Sequence, residues 1–187
     1  EAFKRLKKSN LNKQQKHIVK DSLKGFQLSG VGLEGEQSDR FKAIQEQLSV
    51  LSNQFSKNVL QATNSWKKTV SIDDLKGYGE AEISKVKVGD EYVISLQIPV
   101  YIDLMTYAEN RELREEVYRA YISRASDIGI TPNELDNRNI MNEILELRLE
   151  LSKLLGFSNY AEYSVKSKMV ESPEEVIKFL ENLVDLS

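Results

Sequence analysis

The chain has 187 residues, 40% of them hydrophobic, with 26 Lys or Arg against 29 Asp or Glu and a formal net charge of -3. That length can bury a core as one domain or two small ones, and so even a balance excludes a general nucleic-acid or membrane-surface protein. Zero cysteines exclude a disulfide framework and a thiolate metal site, and no apolar run approaches the length of a membrane span.

The charge is uneven along the chain. Residues 1–24 hold eight Lys or Arg and two acids, which leaves 18 against 27 in the rest. Such a stretch can bind RNA or anionic lipid, but no aromatic platform interleaves the lysines, so it reads as the solvated face of a helix. Residues 1–8 already read as helix, with Phe3 and Leu6 apolar among charges. A second helix covers residues 12–28, with Ile18, Val19, Leu23 and Phe26 on one face and Ser29-Gly30 ending it.

Residues 36–62 contain no Gly or Pro, and Phe41, Ile44, Leu48, Leu51, Phe55, Asn58 and Ala62 alternate at spacings of three and four. This is an a/d seam with Asn58 its polar exception. A seam this short with phenylalanine in it predicts a helix packed on neighbours in the same chain rather than a free coiled coil. After Ala62 the period changes. Trp66, Val70 and Ile72 stand two or four apart, and Lys85-Val-Lys-Val-Gly-Asp-Glu-Tyr-Val-Ile-Ser-Leu96 alternates on either side of Gly89-Asp90. Extended strands and a hairpin turning at Gly89-Asp90 are expected, with Gly77-Tyr-Gly79 a loop ahead of them.

Pro99 ends the strand, and residues 100–107 read as a short helix. Asn110 caps the next, lined by Leu113, Val117, Ala120 and Tyr121. Residues 126–135, with Gly129 and Thr131-Pro132-Asn133, form a loop. Asn137 caps a helix through Ile140, Ile144, Leu147, Leu151 and Leu154 to Leu155, and Gly156 supplies a left-handed stop. A helix at residues 159–166 follows. Ser172-Pro-Glu-Glu175 is then a capping box opening a last helix, whose Val176, Ile177, Leu180, Leu183 and Val184 repeat helically. The sum is a mostly α chain: helices over residues 1–65, a small β insert over 66–98, and helices over 99–187.

Three constellations touch on chemistry. Gly30-Val-Gly-Leu-Glu-Gly35 spells G-x-G-x-x-G, but a dinucleotide site needs a strand before the glycines and an acid about 20 residues on. A helix precedes it here, and no Asp or Glu lies between Glu46 and Asp73. The glycines read as a helix-to-helix turn. Glu143, Glu146 and Glu150 share one helix, yet a carboxylate metal site of the bundle type needs E-x-x-H partners. His17, the only histidine, has Gln14 three residues before it. Surface salt bridging with Arg148 is the better role for the acids, and a surface position for His17. Tyr118, Tyr121 and Arg124, with Asp127 close behind, could line a peptide groove, since hydroxyls and an arginine fork suit carbonyls and carboxylates. Tyrosines at helical spacing are more often packing, so no residue is assigned as catalytic, as a metal ligand or as substrate-binding.

Longer phrases carry a resemblance. Asn110-Arg-Glu-Leu-Arg-Glu-Glu-Val-Tyr-Arg-Ala-Tyr-Ile-Ser-Arg124, Asn142-Glu-Ile-Leu-Glu-Leu-Arg-Leu-Glu-Leu-Ser-Lys-Leu-Leu-Gly-Phe-Ser-Asn-Tyr-Ala-Glu162 and Phe26-Gln-Leu-Ser-Gly-Val-Gly-Leu33 together resemble the thimet oligopeptidase family of zinc peptidases, and within it the oligopeptidase A members. Asn53-Gln-Phe-Ser-Lys-Asn-Val-Leu-Gln-Ala-Thr63 and Trp66 extend the likeness, which runs from about His17 to Leu183. The stretch between Leu75 and Tyr92 departs from it in being short, leaving little room for a helical segment often found there.

The resemblance implies a helical clamshell enclosing a channel for short unfolded peptides, with zinc on a helical H-E-x-x-H whose Glu activates water. A chain with one histidine cannot supply that motif. The expectation is therefore a non-catalytic channel-wall portion of a cytoplasmic zinc oligopeptidase, binding no zinc itself and with the parent continuing in both directions. Its partners would be short peptides and the catalytic half of the same chain, with no nucleic acid and no membrane. The rival expectation is a stand-alone helical module that binds a partner protein through the Phe41–Ala62 seam or the basic first helix.

Overall fold

The computed structural model describes residues 11–128 and 133–186. The helix expected over residues 1–8 and the Gly129 to Pro132 part of the expected loop lie outside the described residues. The remainder forms eight helices and three short strands. In chain order these are α1 (Lys13–Leu28), α2 (Gly35–Ser65), β1 (Lys67–Val70), α3 (Glu80–Val86), β2 (Lys87–Val88), β3 (Glu91–Ser95), α4 (Ile98–Tyr107), α5 (Arg111–Ile122), α6 (Arg138–Leu154), α7 (Tyr160–Val165) and α8 (Pro173–Leu186). Single 3-10 turns stand at Asp73–Leu75 and Asn133–Leu135. The chain divides into two compact units, residues 1–49 with 143–187, and residues 50–142.

In the first unit the apolar side chains that leave water are Val19 of α1, Phe41 and Ile44 of α2, Leu147 and Leu151 of α6, and Val165 of α7. The helix ends follow from their side chains. Asn12 Oδ1 accepts from Gln15 N at 2.9 Å while Gln15 Oε1 accepts from Asn12 N at 3.0 Å, a reciprocal cap that opens α1. Gly30 turns the chain towards α2 at φ +75°, and a Cβ there would stand 2.8 Å from the Phe41 ring. Gly156, at φ +84°, closes α6, and Phe157 N donates to Ser152 O at 2.9 Å.

Two expectations need correction in this unit. Ile18 was placed on the apolar face of α1, but it is 62% exposed while its neighbour Val19 is buried. One residue is about 100° of helix rotation, enough to carry a side chain off a narrow stripe. At α8, Ser172 Oγ accepts from Glu175 N at 3.3 Å as the box requires, but the Glu175 carboxylate accepts from Glu171 N at 2.8 Å instead of from Ser172.

The second unit is built on a three-stranded antiparallel sheet of order β1-β3-β2. Lys67 pairs with Ser95 and Val70 with Tyr92, while Lys87 and Val88 pair with Tyr92 and Glu91 around the turn at Gly89, φ +62°. Ile94 and Leu96 are fully buried with Val70, Leu75, Val86, Leu104, Leu113 and Val117. At about 1.5–3 kcal/mol per buried aliphatic side chain, this cluster is the main driving term of the unit.

The hairpin and its turn stand as expected, but the strand before the turn is shorter. Lys85 and Val86 belong to α3, a seven-residue helix in the stretch where little room for a helical segment was expected. Ile83 and Val86 lie three apart, the spacing of one helical face, and Val86 enters the core. The Glu82 carboxylate accepts from Gly79 N at 3.2 Å and so holds the start of the helix.

The seam of α2 is confirmed by burial. Ala62 and Asn58 are buried, and Leu51 and Phe55 are half-buried, in the part of α2 that belongs to this unit. Asn58 Nδ2 donates to Asn137 Oδ1 at 2.9 Å, Gln54 Nε2 donates to Asn58 Oδ1 at 2.6 Å, and Asn137 Nδ2 donates to Phe55 O at 3.2 Å. Asn137 does precede α6, and its carbonyl accepts from Met141 N at 2.8 Å. Its side chain is spent on this buried amide network rather than on capping.

Candidate functional site

The residues singled out as possible groove-lining groups fall in the second unit. α5 is capped by Asn110, whose Oδ1 accepts from Leu113 N at 3.1 Å. The helix buries Leu113, Val117 and Ala120, which leaves Tyr118 and Tyr121 on its flank. The chain leaves α5 through Ser123 and Arg124 and turns at Ala125, the one non-glycine residue with positive φ (52°) among the described residues. This buried left-handed alanine redirects the backbone, and Asn137 N donates to its carbonyl at 3.0 Å.

Arg124 folds back over the helix end. Its guanidinium lies 3.7 Å from the centroid of Tyr121, and the Tyr101 ring of α4 stacks on Tyr121 at 3.8 Å and 15°. A single ring cannot hold both neighbours on one face at those distances, so Tyr121 is sandwiched between a phenol and a cation. Arg124 Nε donates to Tyr121 O and Nη1 donates to Thr63 Oγ1, both at 2.8 Å. The Thr63 hydroxyl itself donates to Val59 O at 2.8 Å, so towards the arginine it acts as acceptor. Burial pushes the Tyr101 hydroxyl above its ordinary range, with Tyr118 and Tyr121 adding to the effect and Arg124 opposing it.

Asp127 does not join this group. It accepts from Arg138 Nη1 at 2.8 Å, and the same arginine is held by Asp136. Tyr118, 47% exposed, stays on the surface beside the stack. Sequence reasoning missed Tyr101 and Thr63. They come from α4 and α2, and no local spacing ties either one to Tyr121.

In the first unit, Glu150 is ion-paired, but not with Arg148. Arg40 of α2 donates Nε and Nη2 to the two Glu150 oxygens at 2.6 Å each, which lowers the Glu150 carboxyl below its usual range. Arg148 lies 5.0 Å from the Tyr160 centroid. Glu143 and Glu146 are exposed. A cavity of about 410 Å³ lies beside the glycine turn, with Leu28, Leu33, Leu154 and Phe157 among its lining. His17 is exposed, and its Nε2 is 3.2 Å from Asp21 one turn on. Among the described residues no three His, Cys, Asp or Glu side chains converge as metal ligands. No helix there is long and apolar enough to cross a membrane.

Known proteins supply the context for these arrangements. Residues 104–187 match the family model described as Peptidase family M3. Over those residues the chain is similar to peptidase family M3. Its relatives include Oligopeptidase A of Haemophilus influenzae, 44% identical over 178 residues that make up 91% of this chain and 26% of that protein. Oligopeptidase A of Escherichia coli is 45% identical over 182 residues, 94% of this chain and 27% of that protein. The Probable cytosolic oligopeptidase A of Arabidopsis thaliana is 38% identical over 199 aligned residues, 96% of this chain and 28% of that protein. The chain thus spans about a quarter of the length of these relatives. Tyr121 and Arg124 lie inside the matched residues, whereas Thr63 and Tyr101 lie ahead of them.

Proposed function

We propose that the chain is a non-catalytic part of a zinc-dependent oligopeptidase acting on short peptides in the cytoplasm, to which it contributes a wall of the substrate channel. The observation that carries this reading is the 44% identity to an Oligopeptidase A across 91% of the chain. That relatives are oligopeptidases supports short peptides as the substrate class, and the Probable cytosolic oligopeptidase A of Arabidopsis thaliana supports the cytoplasm.

Among the described residues the side chains do not fit a zinc centre. Zinc takes three or four nitrogen, sulfur or oxygen ligands in tetrahedral array. The sole histidine is exposed beside one carboxylate, and no convergent set exists among the described residues. The metal chemistry of the proposed parent is therefore assigned to residues other than these. This chain's part is to shape and polarise the surface that a peptide meets.

Two measurements test the reading. The source gene read past the codon for Ser187 is expected to encode H-E-x-x-H on a helix, and a stop codon there would instead make this a peptidase-derived binding module. The purified chain, given an internally quenched peptide and added zinc, is expected to show no turnover. Chelator-sensitive hydrolysis by the chain alone would overturn its non-catalytic role.

A further inference from the structure

Arg124 is held more firmly than a surface arginine needs to be. Its guanidinium plane is fixed by the Tyr121 ring at 3.7 Å, its Nε by the Tyr121 carbonyl and its Nη1 by Thr63 Oγ1. Thr63 is itself buried and oriented by Val59 O. Tyr121 is backed by Tyr101, so the support is two rings deep. The next residue, Ala125, adopts a positive φ of 52°, and such backbone strain persists where the surroundings over-determine it.

Every contact that fixes this cation is neutral. The acidic side chain nearest in sequence, Asp127, is engaged by Arg138, and no carboxylate among the described residues comes within ion-pair distance of Arg124. Its remaining N–H groups meet no acceptor there. A half-buried guanidinium is thus oriented in advance, with its loss of rotamer freedom already met by folding and its charge unpaired among the described residues. Tyr118, about half-exposed on the same flank of α5, adds a hydroxyl that can donate or accept.

We propose that Arg124 binds a peptide carboxylate, with Tyr121 and Thr63 as positioning residues and Tyr118 at the rim. The ligand class follows from the fork. A planar guanidinium with donors left over matches a carboxylate bidentately, and pre-orientation removes part of the entropic cost of binding. The carboxylate can be the C-terminus of a peptide or an Asp or Glu side chain within it. This rests on the peptide-handling reading above and gives it a specificity: acidic or free-ended peptides are favoured over amidated neutral ones.

The test uses the 187-residue chain and three probes: a tripeptide of alanine with a free C-terminus, the same peptide amidated, and amidated Ala-Glu-Ala. Binding is followed through the arginine Nε–H resonances in nitrogen-15 spectra. The Arg124 signal is expected to shift with the first probe, the third or both, and not with the second. Which of the first and third binds identifies the source of the carboxylate. Arg124→Lys, which keeps the charge but loses the fork, is expected to weaken binding about tenfold or more, with circular dichroism confirming the fold. Should that variant not fold, competition on the unaltered chain decides: acetate displaces the peptide, and chloride at equal ionic strength does not. Equal binding of all three probes, no Arg124 shift with any of them, or chloride acting as well as acetate overturns the proposal. The gene sequence separates the two readings. Arg124-dependent binding in a chain whose gene stops at Ser187 keeps this site and removes the peptidase reading, and H-E-x-x-H downstream with no carboxylate binding does the reverse.

Discussion

Gly77 and Tyr78 show how much of the second unit hangs on single atoms. Gly77 sits at φ +97°, and a Cβ built on it would lie 2.1 Å from the Tyr107 carbonyl oxygen. Neighbouring Lys76 accepts from Glu109 N at 2.8 Å, so the two segments cannot separate without losing that bond. Gly77→Ala therefore combines a disfavoured backbone conformation with a clash against main chain, and a loss of about 3 kcal/mol or more in urea unfolding is expected. Tyr78 presents the opposite case. Its hydroxyl is buried without a hydrogen-bond partner among the described residues, and burial, helped by Asp103 and Glu82, pushes its pKa up to about 12. Because the folded value is raised, the neutral phenol supports the fold fully below about pH 10, and that support is lost as pH climbs from there towards the folded value. Tyr78→Phe is expected to leave stability at pH 7 unchanged or raise it by up to about 1 kcal/mol. It should also soften the alkaline decline, and a thermal-melt series from pH 8 to 12 reads both effects.

Among the elements, α8 stands apart in how little of its apolar face it buries. Ile177, Leu180 and Leu183 are 54%, 53% and 47% exposed on a helix that is otherwise well formed. A side chain already in water contributes little to folding, so Leu180→Gln should shift stability by less than about 0.5 kcal/mol. The same change should lower the fluorescence of a dye that binds exposed apolar surface, and an unchanged signal would show that the dye sits elsewhere. α3 teaches a different lesson. Alternation at Lys85 to Val88 favoured strand, but Val86 had a buried position available through helical spacing with Ile83, and tertiary burial outweighed local pattern.

For the molecule as a whole, legibility tracked the range of the interaction. The cap at Asn110 and the stops at Gly30 and Gly156 are local events between a residue and its near neighbours, and they could be read directly, whereas Asn137, expected to cap α6, gives its side chain to Asn58 and Phe55. The seam of α2 was equally plain, down to Asn58 as its exception. The reason for that exception was not, because its partner Asn137 is 79 residues away in sequence. The same limit hid the Tyr101–Tyr121–Arg124 stack: Tyr121 and Arg124 could be suspected from one helix, but Tyr101 and Thr63 come from elements 20 and 61 positions distant, and only packing unites them. Long phrases of text carried the family where no catalytic motif was available to do so.

The hairpin turn has a practical consequence. A Cβ built on Gly89 meets nothing within 4 Å, and the two strands it joins are tied by their own ladder rather than by the turn. Lengthening a surface connection costs only about 0.6 kcal/mol per doubling of the loop. A short affinity tag or a fluorophore-bearing segment spliced between Gly89 and Asp90 would give the protein a handle whose attachment leaves the arginine stack untouched.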